Sequence, residues 1–245
     1  MVRLLVVLPT YNEVLNVETM LRTLRRVVPD AHILVVDDAS PDQTADLAQR
    51  TAQELEQIYV LRREGKSGLG GAYRAGFAWG LEQGFDTFVE IDCDFSHDPR
   101  ALPSLLSAAD SHDVVIGSRY VPGGHIPQWK LSRRVLSRGG NQYASLMLGL
   151  RVADSTAGYR VYSQSALRTI DYETVNADGY GFQIEMTYRA RRAGASITEV
   201  PISFSDRQLG ESKMSSSIVY EALWLVTKWA MQRPFKRKLN PVQQY

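Results

Sequence analysis

Cys93 is the only cysteine in this chain. That excludes an internal disulfide, leaves a cysteine-based zinc site without partners and fits a reducing compartment, so the cytoplasm is the expected location. Long apolar runs are missing as well: no stretch reaches the roughly 18–20 residues of a membrane span. The opening Met1-Val2-Arg3 leads into Leu4 to Leu8, too short for a secretory core and halted by Pro9. Nor is there an excess of charge, since 28 basic and 27 acidic residues give a formal net charge of +1. Nucleic-acid binding by bulk electrostatics is thereby excluded, and any basic function must be local. Internal repeats and low-complexity tracts are absent too.

What the chain does have is core material. Of 245 residues, 44% are hydrophobic, enough for one large α/β domain or a domain with an appendage. Leu4 to Leu8 reads as a buried strand ending at Pro9-Thr10-Tyr11-Asn12-Glu13. Val17, Leu21, Leu24 and Val28 recur at helical spacing. His32 to Val36 is a second strand, ending in Asp37-Asp38 and followed by Ser40-Pro41-Asp42. A helix from about Thr44 to Ala52 and a strand from Ile58 to Leu61 continue an alternation that predicts a parallel, doubly wound sheet.

A fourth strand, Thr87 to Ile91, breaks into Asp92-Cys93-Asp94-Phe95-Ser96-His97-Asp98-Pro99. Ligands of open α/β sheets gather outside the carboxyl ends of the strands, so two aspartates one residue apart there can reach one cation. Hard carboxylate oxygens favour magnesium or manganese, whose remaining shell comes from water and substrate phosphate. Asp-x-Asp also recurs in plain solvated turns, so its context has to decide.

Gly65-Lys66-Ser67 imitates the end of a phosphate loop, but Val60 stands where that motif needs glycine. A flexible loop leading into a helix from Ala72 to Gln83, with backbone donors near a ligand, is the better reading. Asp113 to Gly117 is a fifth strand with Ser118-Arg119-Tyr120 at its end, where Arg119 either faces the aspartates' crevice or makes a surface ion pair. Between Ser132 and Leu150, Val135, Leu136, Tyr143, Leu146 and Met147 form one helical stripe, with Arg133, Arg134 and Arg138 largely elsewhere. That pattern fits a core helix with a solvated face or a membrane-surface helix. A bent strand is read over Ser155 to Tyr162, a helix over Gln183 to Arg192 and a strand over Ile197 to Phe204. The polar segment Ser205 to Lys213 has the composition of a lid. A last helix, about Ser215 to Gln232, is apolar around much of its circumference and precedes Arg233, Lys236, Arg237 and Lys238. It suits either docking on the domain's own core or an anionic membrane or groove on a membrane protein.

Taken together, the chain resembles the inverting glycosyltransferases of family two, and most closely the polyprenyl (dolichyl) phosphate mannose synthases. The first half contributes Pro9-Thr10-Tyr11-Asn12-Glu13, Val35 to Asp42, Asp92-Cys93-Asp94 and Gly117-Ser118-Arg119-Tyr120. The second adds Ser132 to Gly139 and Arg207 with Gly210-Glu211-Ser212-Lys213. The resemblance implies the GT-A fold, a Rossmann-like, mostly parallel central sheet flanked by helices, with C-terminal amphipathic interface helices. It implies a glycosyltransferase domain over 1–213, its nucleotide-sugar half about 1–120 and its acceptor half about 121–213, and a docking helix with basic tail over 214–245.

By position, it implies that Pro9, Tyr11, Glu13, Val36 and Asp38 hold the nucleoside of GDP-mannose. Asp92 and Asp94 would bind Mg²⁺ or Mn²⁺ and the diphosphate, with Ser96 standing where many relatives have glutamine. Arg119, Arg133, Ser137 and Arg207 would gather donor and acceptor phosphates, with Lys213 nearby. The implied partners are GDP-mannose, polyprenyl phosphate and the cytoplasmic membrane surface, with or without a membrane-anchored partner protein. Transfer of glucose or an N-acetylhexosamine from a UDP-sugar is the nearest alternative, and a non-catalytic nucleotide-sugar or lipid-binding module a distant one.

Overall fold

The computed structural model describes residues 2–206 and 216–232, the latter with side chains from residue 221 onward. Arg207, the 210–213 segment with Lys213, and the basic cluster after residue 232 lie outside the described residues.

Strands β1 (Leu4–Thr10), β2 (His32–Asp37), β3 (Ile58–Arg62) and β4 (Thr87–Glu90) alternate with helices α1 (Val17–Val27), α2 (Thr44–Glu54) and α3 (Gly68–Glu82). There follow α4 (Leu102–Ala109), β5 (Val114–Ser118), α5 (Leu131–Leu148), β6 (Arg160–Ser163), α6 (Gln164–Ile170), α7 (Gly179–Ala193), β7 (Ile197–Pro201) and α8 (Ser216–Gln232). All seven strands join one sheet in the order β3-β2-β1-β4-β6-β5-β7. Only β6 runs antiparallel to its neighbours β4 and β5. The continuous apolar run of β1 is explained by two-sided burial: Leu5 and Val7 enter one core cluster, Val6 and Leu8 the other. Helix α3 lies so close to β1 that a Cβ on Gly76 would come within 2.4 Å of Val7.

Several elements differ from the sequence expectation in instructive ways. Helix α3 begins at Gly68, so most of the glycine-rich run is its first turn rather than a loop. The amide of Gly70 in that turn donates to Asp178 Oδ1 at 2.7 Å, and the helix end is thus capped from within the protein. The strand predicted to end at Phe204 stops at Pro201, and the next residues cross other loops through isolated bridges. Most of the apolar stripe of α5 is not core: Val135, Leu136, Leu146 and Met147 are exposed, as is Leu131, whereas Tyr143 packs against the core and bonds Thr227 of α8 at 2.8 Å, and the buried face is Asn141, Ala144 and Leu148. Helix α8 packs on α5 and α7 through Ala222 and Val226, with Trp229 stacked on Tyr188. Its Trp224 and Met231 remain exposed.

Candidate active site

The chain leaves β1 for β2 and β3 on one side and returns to β4 on the other. The carboxyl ends of β1 and β4 therefore flank the topological switch point, where a doubly wound sheet opens a crevice. Thr10-Tyr11 stands on one lip and Asp92-Cys93-Asp94 on the other.

Beyond β2, Asp37 and Asp38 have separate tasks. Asp37 accepts from Thr10 Oγ1 at 2.9 Å, from the Ser40 amide at 2.9 Å and from Ser40 Oγ at 2.6 Å, tying the two strand ends together. Asp38 pairs with Arg63 Nη1 at 2.6 Å and accepts from the Ser67 amide at 3.1 Å. Lys66 lies over the Tyr11 ring at 4.4 Å. Glu13 is buried, accepts from Asn16 Nδ2 at 2.8 Å and receives its own backbone support from Thr44. Pro9 pairs with Val36 in the sheet register, so the five predicted nucleoside residues come from two adjoining strand ends.

On the β4 side, Asp92 is partly exposed and accepts from Tyr73 Oη at 3.3 Å. Asp94 is buried, and the Ser96 amide donates to its Oδ1 at 2.9 Å, closing a tight turn. Phe95 takes a positive φ of 59° inside that turn. A Cβ on Gly158 would lie 3.6 Å from Asp92 Oδ2 and 3.8 Å from Gln183 Nε2, so the missing side chain keeps open a cradle beside the carboxylate. Among the described residues no group of three or more histidine, cysteine or acidic side chains is placed to hold a metal. Two hard carboxylates at the mouth of a crevice fit a divalent ion that keeps most of its shell for phosphate and water.

Two titratable neighbours are shifted away from their usual charge. Burial pushes the Glu90 carboxyl up to about 8, with Arg160 and Gln183 opposing and Asp92 adding to the shift. Burial also lowers the His97 imidazole to about 4, Asp94 opposing and Arg119 assisting. His97 lies 3.8 Å from Asp92 Oδ2, and its Nδ1 has no hydrogen-bond partner.

Arg119 is buried in a bidentate pair with Asp154, through Nε at 2.7 Å and Nη2 at 2.6 Å, and Nη2 also donates to Thr156 at 2.8 Å. None of these bonds uses Nη1. Burial opposes its charge, but Asp154 raises its pKa further; Asp154, despite its own burial, is held below the usual carboxylate range by Arg119. The Phe204 ring bridges this arginine to the acid loop, with the Arg119 guanidinium 5.3 Å from its centroid and the His97 ring 5.2 Å away. Arg133 lies on the exposed start of α5, 3.9 Å over Trp129, and Ser137 Oγ accepts from Tyr120 Oη at 2.7 Å. Asp154, Arg63, Trp129 and Asp206 were not anticipated. Of these, Arg63 had a legible signal, a charge at the carboxyl end of β3.

The profile of Glycosyl transferase family 2 matches residues 5–171. An undecaprenyl-phosphate mannosyltransferase of Micrococcus luteus is 52% identical over 229 residues, covering 94% of each chain. The chain belongs to glycosyl transferase family 2. A polyprenol monophosphomannose synthase of Mycolicibacterium smegmatis is 47% identical over 243 residues, covering 98% of this chain and 92% of that one. Among solved structures, a mannosyltransferase from Pyrobaculum calidifontis in complex with GDP-Man and Mn²⁺ aligns with a TM-score of 0.58 at 16% identity, over 94% of this chain and 72% of that one. At that identity the likeness speaks for the fold, which is GT-A.

Proposed function

We propose that this family-two glycosyltransferase moves mannose from GDP-mannose to a dolichyl-type polyprenyl monophosphate with inversion. The products are polyprenyl-phosphate mannose and GDP. The observation that carries this reading is near-full-length identity, 52% and 47%, to two proteins named for mannosyl transfer to polyprenyl phosphate or polyprenol. Residues 1–120 serve the donor and 121–213 the acceptor.

In this reading Pro9, Tyr11, Glu13, Val36 and Asp38 hold the nucleoside. Asp92 and Asp94 hold Mg²⁺ or Mn²⁺ beside the diphosphate, with Ser96 closing their turn. A divalent ion bound there would neutralise the diphosphate and the charge that develops on departing GDP. Arg119, Arg133 and Ser137 receive phosphate, joined by Arg207 and Lys213 on the strength of the sequence resemblance alone. Arginine suits this task because it stays charged when buried and meets phosphate through paired donors.

The chemistry asks for no strong general base, since a phosphate monoester oxygen is already anionic at neutral pH. The surroundings agree with that. Glu90, with its carboxyl pushed up to about 8, keeps its proton at neutral pH. What the site supplies is compensation and orientation of negative charge.

The acceptor's tail lies in a bilayer, and α5 offers a matching surface. Arg133 and Ser137 sit on the same helix as the exposed Val135, Leu136 and Leu146, and on a helical projection Arg133 and Arg138 border that apolar strip. Peripheral docking on the cytoplasmic face follows, through the helix that also touches phosphate. No helix among the described residues is long and apolar enough to cross a membrane. The test is incubation with radiolabelled GDP-mannose, polyprenyl phosphate and Mn²⁺ or Mg²⁺, followed by organic extraction. Metal-dependent label in the organic phase is expected; label arising only from UDP-sugars, or none, overturns the assignment.

A further inference from the structure

Arg133 is not idle in this structure. Its Nη1 donates to Asp206 Oδ1 at 3.0 Å, and Trp129 Nε1 donates to the same oxygen at 2.7 Å. Two donors converging on one anionic oxygen form a small anion seat, and the Trp129 ring beneath the guanidinium holds the arginine's plane. We propose that Asp206 is an internal placeholder in the acceptor-phosphate seat formed by Arg133 and Trp129, displaced when the acceptor's phosphate arrives. This rests on the reading of Arg133 as an acceptor-phosphate residue.

Three features favour exchange over a permanent strut. First, the pair is exposed, with side-chain accessibility of 43% for Arg133 and 41% for Asp206, so it contributes little to stability and is open to a ligand. The other arginine of this region, Arg119, contrasts with it: its pair with Asp154 is 4% and 0% accessible and built to stay.

Second, the incoming group outmatches the resident one. A phosphate monoester carries about −1.5 to −2 charges at neutral pH and three acceptor oxygens, against one charge and two oxygens for a carboxylate.

Third, the carboxylate is delivered by a fixed backbone. Ile202 donates to Ser118 at 3.0 Å, Phe204 to His125 at 2.9 Å and Ser205 to Ser96 at 3.1 Å, while the Asp206 amide donates to Gln128 Oε1 at 3.0 Å. Displacement then needs only rotation of one side chain. The placeholder also spares Arg133 from being an unpaired cation beside Arg119, whose guanidinium lies 5.6 Å from the same Trp129 ring.

The sign of the Asp206→Asn effect decides the matter. Losing the competing charge should lower the Michaelis constant for a polyprenyl monophosphate in detergent about two- to fivefold, the range in which exposed ion pairs fall. The constant for GDP-mannose should stay unchanged. Inorganic phosphate should inhibit competitively against the acceptor, and its inhibition constant should fall by a similar factor, because the seat recognises the phosphate and not the chain. A raised or unaltered acceptor constant, or an unaltered inhibition constant, overturns the placeholder. Arg133→Ala measured in parallel separates the two layers of the argument. If it leaves acceptor use untouched, the acceptor site itself has been misplaced. If it impairs acceptor use while Asp206→Asn brings no gain, only the placeholder falls.

Discussion

Glu90 is the last residue of β4 and its carboxyl is fully buried, Gln183 Nε2 donating to Oε2 at 2.9 Å and Oε1 without a partner. Its folded-state pKa of about 8 lies above the ordinary 4.5, and the consequence for stability has a definite sign. Below 4.5 both folded and unfolded chains hold the proton, and the folded state loses nothing. As pH rises towards 8 the unfolded chain releases its proton first, so stability falls across that window and levels off above it. Glu90→Gln should remove this slope. His97, held at about 4 against its ordinary 6.5, adds an opposing rise in stability between those values in both proteins, so the drop in urea midpoint from pH 5 to pH 8.5 in metal-free buffer should be smaller in the variant than in the parent or reversed, and an equal drop in both would sink the assignment. Nothing in the sequence sets Glu90 apart, because burial is a tertiary property. Asp92 and Asp94 were legible since the strand-end rule needs only local pattern. Asp154 was not, because its partner Arg119 lies 35 residues away and no local spacing announces a buried pair.

Helix α5 carried a stripe that fitted either a core or a surface, and hydrophobicity alone could not choose. Packing chose: the narrow face of Asn141, Ala144 and Leu148 is buried, Val135, Leu136 and Leu146 face out, and Tyr143 turns to α8. The run at Leu4 to Leu8 was easier, because five apolar residues halted by Pro9 are too short for a helix and suit a strand buried on both faces. For α8 the structure shows docking on the domain's own core, with Ala222 and Val226 inward and Trp224 and Met231 outward. Gly181 of α7 permits this close approach, as a Cβ there would lie 3.0 Å from Leu225 Cδ1. Deleting α8 to test membrane docking would therefore strip the α7 surface as well. Charge placed on exposed positions is the cleaner probe. Leu136→Glu with Leu146→Glu should leave the melting temperature nearly unchanged, since the parent side chains are 65% and 81% accessible. Flotation with anionic vesicles should weaken, and transfer to membrane-borne acceptor should fall more than transfer to acceptor in detergent. Undiminished flotation would remove α5 from the membrane contact.

The order β3-β2-β1-β4 places the proposed nucleoside lip and the acid lip on either side of one crevice, although Tyr11 and Asp92 lie 81 positions apart. The sequence could name both lips but not their adjacency, which depends on β4 returning beside β1. Adjacency makes a coupled prediction possible. If Asp92 and Asp94 hold the ion and Asp38 the nucleoside end of one donor, metal and GDP should stabilise the fold together more than either alone. At ligand concentrations about a hundredfold above the dissociation constant, linkage adds about 2.7 kcal/mol, roughly 5–10 °C for a domain of this size. Asp94→Asn keeps a side-chain oxygen for the Ser96 amide, so its turn and fold should survive without ligand. What it should lose is the part of the shift that Mn²⁺ adds in the presence of GDP, together with metal-dependent transfer. Asp38→Asn should instead weaken the GDP response while leaving the remaining shift sensitive to Mn²⁺. A full Mn²⁺-dependent shift in Asp94→Asn would place the ion elsewhere, and the crevice would have to be assigned without it.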